Sequence, residues 1–284
     1  MQQEVGTPVD STSEHPFELA NPEISRGGFQ SVLFDFDGTI SLIRHGWREI
    51  MIPLMVEILS DLNTEESDQE LTSIVAEFVD LLTGQQTIYQ MIRLCDEIEQ
   101  RGGTPRTPLD YKNIFNDRLL VHINGRLSCL ESGKSQPGDW MVPGTADLLE
   151  SLQSQGLELY LASGTDIRYV RREAELLGVT RFFGDAIFGA LENYRNFSKA
   201  MVIQDILTSR QIRGERLLGF GDGYVEIENV KSVGGSAVGV ASNEEEREGV
   251  NTWKRDRLLR AGADIIVPDY REQSALLSFL MNPS

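Results

Sequence analysis

The stretch Ser31-Val32-Leu33-Phe34-Asp35-Phe36-Asp37-Gly38-Thr39-Ile40 decides how the rest of the chain is read. A run of apolar β-formers stops at two carboxylates one residue apart, followed by Gly38 and Thr39, the pattern of a buried strand that delivers charge at its C-terminal end. Open parallel α/β sheets place their chemistry at that edge. Alternation along a strand sends Asp35 and Asp37 to the same side, where two carboxylates repel unless a cation, a proton or strong hydrogen-bond donors intervene. A divalent metal ion answers that repulsion directly. A strand running into an ordinary Asp-Gly turn has the same local sequence, so the later chain must decide.

On the N-terminal side, residues 1–28 mix Ser, Thr, Glu, Pro and Gly with few large apolar groups and read as a flexible leader, tacked in part onto the core by Phe17, Leu19 and Ile24. On the other side, residues 47–59, 65–82, 85–100 and 109–130 carry apolar side chains at helical spacing, with Pro53 implying a kink or break. They predict a helical domain over residues 43–137. From residue 144 the pattern changes to strand then helix, with short apolar strands expected at 157–162, 186–188, 216–220, 235–240 and 264–267. Repeated βα units imply an α/β, Rossmann-like, mostly parallel sheet with helices on both faces, assembled from residues 29–42 and 138–284 across the helical insert.

Composition bounds the function. Forty per cent hydrophobic and 25% charged residues describe a soluble globular protein, and a formal net charge of −18 argues against binding to nucleic acid, which needs a basic surface. The two cysteines, Cys95 and Cys129, lack metal-ligand spacing and read as free thiols in a reducing compartment; with three histidines in all, a histidine-rich metal site is not expected. No run is long and apolar enough for a membrane span, and residues 1–30 lack the basic start and apolar middle of a signal peptide, so the expectation is a cytoplasmic protein with no membrane partner. Oligomeric state is not legible.

Three later strand ends carry chemistry-bearing residues. Residues 157–162 run into Ser163-Gly164-Thr165-Asp166, where a hydroxyl and free backbone N–H groups at the start of a helix suit a phosphoryl oxygen, although Thr165 or Asp166 as a simple helix cap fits as well. Residues 216–220 lead into Gly221-Asp222-Gly223-Tyr224-Val225-Glu226, acids placed to reach a cation, in a Gly-Asp-Gly that is also an ordinary turn. Between them Lys199 follows Ser198 at a helix start, where a lysine opposes the helix dipole.

In order and in place on strand ends, Asp35-x-Asp37-Gly-Thr, Ser163, Lys199 and Gly221-Asp222-x-x-x-Glu226 resemble the four motifs of the haloacid dehalogenase-like phosphatase superfamily. The insert after the first motif resembles the C1 cap of its phosphoglycolate phosphatase and β-phosphoglucomutase branch. The resemblance implies that Asp35 is a nucleophile forming an aspartyl-phosphate, that Asp37 moves the proton, and that Ser163, Gly164 and Thr39 bind or support the phosphoryl group. It implies that Lys199 neutralises charge and that Mg²⁺ is held by Asp35, the Asp37 carbonyl, Asp222 and Glu226, the last placed on a water or on Lys199. Glu226 stands where Asp is common in the family. The presence of Asp37 favours phosphoryl chemistry over carbon–halogen cleavage.

Specificity is expected between residues 43 and 130, where a cap closes over the site. Arg44 and Arg48 are expected to share a helix face and, with Trp47 stacking, to hold a second anionic group or a sugar ring; a solvated basic hinge is the alternative. Gln85 and Gln86, in the polar turn 83–87, are placed to bond substrate hydroxyls or to begin a helix. The expected substrate is a small phosphorylated metabolite such as a sugar phosphate or phosphoglycolate. A β-phosphoglucomutase-like phosphomutase shares every core residue, and a non-catalytic binder of a phosphorylated ligand is the third reading.

Overall fold

A computed structural model describes residues 15–283 of the chain. Seven strands form one sheet in the order β1-β7-β6-β5-β2-β3-β4. They are β1 (Glu18–Leu19), β2 (Ser31–Phe34), β3 (Glu158–Asp166), β4 (Ile187–Ala190), β5 (Leu217–Gly221), β6 (Ser236–Val240) and β7 (Ile265–Val267). All neighbours run parallel except β1, which pairs antiparallel with β7. The strand that opened the sequence reading is central: Val32 pairs with Leu159 of β3 and Leu218 of β5, and all four residues of β2 are buried. Because β3 and β5 leave β2 in opposite directions, the strand order reverses beside it, which opens a crevice at its carboxyl end.

Four helices occupy the insert: α1 (Trp47–Ser60), α2 (Asp68–Leu81), α3 (Thr87–Gln100) and α4 (Pro108–Glu131). Their starts are written locally. Ser67 and Glu70 form a reciprocal capping box on α2, and Thr107 and Asp110 do the same on α4, where Pro108 begins the helix. Leu71, Val75, Phe78 and Val79 bury one face of α2 at helical spacing. Pro53 lies inside an uninterrupted α1, so the expected break is absent. Seven further helices cover the sheet: α5 (Thr145–Ser154), α6 (Ile167–Leu176), α7 (Thr180–Phe183), α8 (Lys199–Arg210), α9 (Tyr224–Ser232), α10 (Thr252–Arg260) and α11 (Gln273–Met281). Among the described residues, no helix is long and apolar enough to cross a membrane.

Part of the expected leader, residues 1–14, lies outside the described residues, and residues 15–28 are tied to the core. Phe17 and Ile24 are buried, Leu19 packs against the core, β1 covers the edge of β7, and Asn21 Nδ2 donates to Asp264 Oδ1 at 2.7 Å. One departure from the sequence reading is β3, which does not end at residue 162. Between the pairs Ala162–Phe188 and Asp166–Ala190, three residues of β3 face one of β4, a bulge that holds Ser163, Gly164 and Thr165 out of the ladder.

Candidate active site

The carboxyl ends of β2, β3 and β5 converge on one cavity of about 110 Å³, and the loop after β6 and the turn between α2 and α3 complete its wall. Asp35 leaves β2 still bonded to the sheet, its N–H donating to Phe220 O at 2.9 Å. The chain then folds back tightly: the N–H groups of Ile40 and Ser41 both donate to Phe36 O at 2.8 Å. Gly38 takes φ +77°, and a Cβ there would lie 2.2 Å from Asp222 Oδ2, so only glycine lets the two loops approach this closely.

The two acids of the first motif are held differently. Asp35 Oδ1 accepts a 2.7 Å bond from Lys199 Nζ, which also pairs with Glu226; all three residues are buried. Burial pushes Asp35 up, Lys199 opposes the rise, and the Asp222 and Asp37 carboxylates add to it, leaving the group at about 7. Asp37 has hydroxyl partners instead. Ser163 Oγ and Thr165 Oγ1 donate to its Oδ2 at 3.0 and 2.9 Å, while Oδ1 is enclosed without a hydrogen-bond partner, 3.9 Å from Arg44 Nε. Its titration is raised by burial, against the opposing pull of Arg44 and of the two hydroxyls. The bulge in β3 makes this possible, because it turns Ser163 and Thr165 toward the same carboxylate.

A second ionic chain borders the cavity. Lys254 Nζ, on α10, lies 2.8 Å from Asp222 Oδ2 and 2.6 Å from Glu244 Oε1, and Glu244 Oε2 in turn lies 3.4 Å from His45 Nδ1. Burial works against the charge on both Lys254 and Glu244. Their pairing prevails, so that Asp222 and Glu244 hold Lys254 far above the ordinary ammonium range while Lys254 and His45 bring Glu244 down to about 2.

The donor set suits a hard divalent cation. The carboxylates of Asp35 and Asp222 repel each other, and the enclosed Asp37 Oδ1 has no donor of its own. Among the described residues, no three His, Cys, Asp or Glu side chains converge closely enough to hold a metal by themselves. Two side chains therefore need a main-chain carbonyl and water to complete a shell, which is how magnesium is commonly held.

A family model for haloacid dehalogenase-like hydrolases matches residues 29–234. The chain belongs to that family. The match runs from just before β2 to just past α9 and so takes in all four motifs. No curated protein matches this hydrolase. Many solved structures share its fold, three of them as follows. A predicted phosphoglycolate phosphatase from Haemophilus somnus is 17% identical, with TM-score 0.56 over 88% of this chain and 98% of the other. β-Phosphoglucomutase from Clostridium difficile is 14% identical, with TM-score 0.57 over 89% and 100%. CbbY from Rhodobacter sphaeroides, a D10N mutant in complex with xylulose-(1,5)bisphosphate, is 17% identical, with TM-score 0.54 over 86% and 96%.

Within the hydrolase, Asp35, Asp37, Ser163, Gly164, Lys199 and Asp222 all line the cavity, with Arg44, Trp47 and Gln85. Of the two places expected for Glu226, the structure shows the one against Lys199, reached from the first turn of α9. Three other expectations change. Thr39 does not support the phosphoryl site; it is fully enclosed, its carbonyl accepts from Tyr270 Oη at 2.9 Å, and Thr165 takes the place beside Asp37. Gln86 turns away from the cavity and donates to the carbonyls of Tyr194 and Phe197 at 3.1 and 2.8 Å. Arg44 and Arg48 share no helix face: Arg44 precedes α1 and is gripped by Glu173 at 2.7–3.1 Å, whereas Arg48 pairs with Asp80 at 2.7 and 2.8 Å.

Lys254, Glu244, Thr165 and Glu173 were not read as site residues. For Glu244 a signal existed, since it follows the end of β6 by four residues at the same edge of the sheet. The helical insert meets the motif loops through backbone. A Cβ on Gly164 would lie 2.7 Å from Gln85 O, and Gln85 Nε2 donates to Tyr224 Oη at 2.8 Å. Gly164→Ala is therefore expected to push the α2–α3 turn off the site and raise KM about tenfold or more, with the melting temperature little changed; steady-state kinetics and a thermal melt check both.

Proposed function

We propose that this hydrolase is a Mg²⁺-dependent phosphomonoesterase acting on a small phosphorylated metabolite through an aspartyl-phosphate. The observation that carries the proposal is the division of labour between two neighbouring acids: Asp35 is bonded to the Lys199 ammonium, and Asp37 is held by two hydroxyls with one oxygen free. Asp35 attacks phosphorus, and the bond from phosphorus to the ester oxygen breaks. Asp37 gives its proton to the departing alcohol. In the second half, Asp37 takes a proton from water as that water attacks the phosphorus of the aspartyl-phosphate, releasing inorganic phosphate and regenerating Asp35.

Lys199 balances charge on the nucleophile throughout, and Glu226 fixes its position from the far side. Ser163 orients Asp37 and, with the N–H groups of the bulge, faces the phosphoryl oxygens. Asp35, Asp222 and the carbonyl of Asp37 would hold magnesium, which supplies further neutralisation of the phosphoryl oxygens. Residues 43–137 act as a cap over the core formed by 29–42 and 138–284. Phosphate is bound in another structure of CbbY from Rhodobacter sphaeroides, which accords with this reading.

The test is a panel of metabolite phosphates assayed for both phosphate release and isomerised product. Phosphate release from at least one monoester, lost with EDTA and restored by added Mg²⁺, is expected. Turnover that survives EDTA overturns the metal dependence, and isomerised sugar phosphate with negligible free phosphate selects a phosphomutase instead.

A further inference from the structure

Beyond the reacting centre, the cavity has a wall that no motif specifies. Met51, Phe115 and Leu119 of the helical insert form it, all three buried, with Trp47 beside them. The turn between α2 and α3 and the start of α3 add neutral polar groups to the lining, Gln85, Thr87 and Gln90.

The charges that line the cavity are already committed. Arg44 is gripped by Glu173, His45 pairs with Glu244, and Lys199 sits between Asp35 and Glu226. Cations nearby but outside the lining are engaged as well: Arg48 by Asp80, Lys112 by Asp166, and Arg126 by the carbonyls of Ile43 and His45. The lining acids Asp35, Asp37, Asp222 and Glu244 meanwhile make the cavity hostile to any anion that the phosphoryl site does not itself neutralise. A second phosphate or a carboxylate on the substrate would be stripped of water against an apolar wall with no cation to receive it.

We infer that the organic part of the substrate is uncharged, with one apolar face laid on the Trp47–Met51–Phe115–Leu119 wall and hydroxyl or carbonyl groups turned to Gln85, Thr87 and Gln90. The inference rests on the phosphomonoesterase reading and narrows it: phosphoglycolate-like acids and bisphosphates are poor substrates, and neutral monoesters with an apolar face are good ones.

The experiment compares matched esters on the full chain with Mg²⁺: phenyl phosphate against para-carboxyphenyl phosphate, glycerol phosphate against phosphoglycerate, and a hexose monophosphate against a hexose bisphosphate. The neutral member of each pair is expected to show a kcat/KM at least about tenfold higher. Thr87→Lys, at a partly exposed position among these neutral groups, adds a cation and is expected to narrow each ratio about threefold or more. Preference for the charged member by the wild-type protein overturns the inference and leaves the phosphatase reading intact. Ratios unmoved in a folded Thr87→Lys protein overturn the electrostatic basis of the inference. Release from no ester at all overturns the phosphatase reading and this inference with it.

Discussion

Asp35→Asn is expected to lower phosphate release by a factor of about 10⁴ or more while leaving the fold intact. An amide offers no substitute for the nucleophilic carboxylate: an asparagine can hold the hydrogen bond from Lys199 but cannot form the acyl phosphate. Stability is expected to move the other way. Asp35 is raised from its ordinary range to about 7, first by burial and then by Asp222 and Asp37, so the ionised group disfavours the folded state. A group raised in this way favours the fold below its unfolded value and loses that contribution as pH rises toward about 7. Asparagine removes the charge and leaves Lys199 paired with Glu226. In EDTA at neutral pH the variant should therefore melt no lower than the wild type. A large fall in the melting temperature would show that Asp35 is chiefly a structural partner of Lys199.

Lys199→Met is expected to harm both activity and stability. Lys199 stands between two buried carboxylates, with side-chain exposures of 5% for Lys199, 7% for Asp35 and 3% for Glu226, so this is no surface ion pair of marginal worth. Removing the cation strands two acids in a site already crowded by Asp37 and Asp222, and the cost is about 3–5 kcal/mol at neutral pH. Asp35, already raised by burial, responds by rising further, so the deficit should be small near pH 4 and grow as pH increases toward neutrality. Activity should fall by a factor of about 10²–10³, the usual loss when one fixed charge that faces the reacting centre is removed. Chemical denaturation of the metal-free protein at several pH values reads the first effect. A deficit that shrinks with rising pH would contradict the charge arrangement.

What the sequence made legible follows from where its information lies. β2 and β5 announce themselves because a buried parallel strand must be apolar along its length, and the abrupt acids at its end have no structural reason to be there. The helices of the insert were legible from apolar residues at helical spacing, and α2 and α4 carry their own capping boxes as well. Other features depend on distant residues. Arg44 looked free to bind an anion, but its partner Glu173 is 129 residues away on α6, where one acid among the charged residues of a helix carries no mark. Gln86 occupies a suggestive position in the sequence, yet its orientation is set by the carbonyls of Tyr194 and Phe197, and Thr39 is enclosed beneath the loop with its carbonyl bonded by Tyr270. The bulge in β3 arises from its register with β4, a pairing property that the β3 sequence alone cannot express.

The ionic chain through Lys254, Glu244 and His45 is the least legible part of the site. It assembles from the loop after β6, the first turn of α10 that follows it and the segment before α1, and the last of these lies about two hundred residues earlier in the chain. Lys254 is nonetheless the residue that holds Asp222 Oδ2, so it bears on how Asp222 is presented to a cation.

The central claim is that Asp35 itself carries the phosphoryl group during turnover. Mixing enzyme with a reactive monoester and Mg²⁺, quenching in acid within the first turnover and analysing peptides by mass spectrometry tests it most directly. The account predicts one added phosphoryl group on the peptide containing Asp35, absent in Asp35→Asn and absent when EDTA precedes the ester. Phosphate release at full rate with no trapped adduct, or an adduct on any other residue, would contradict it.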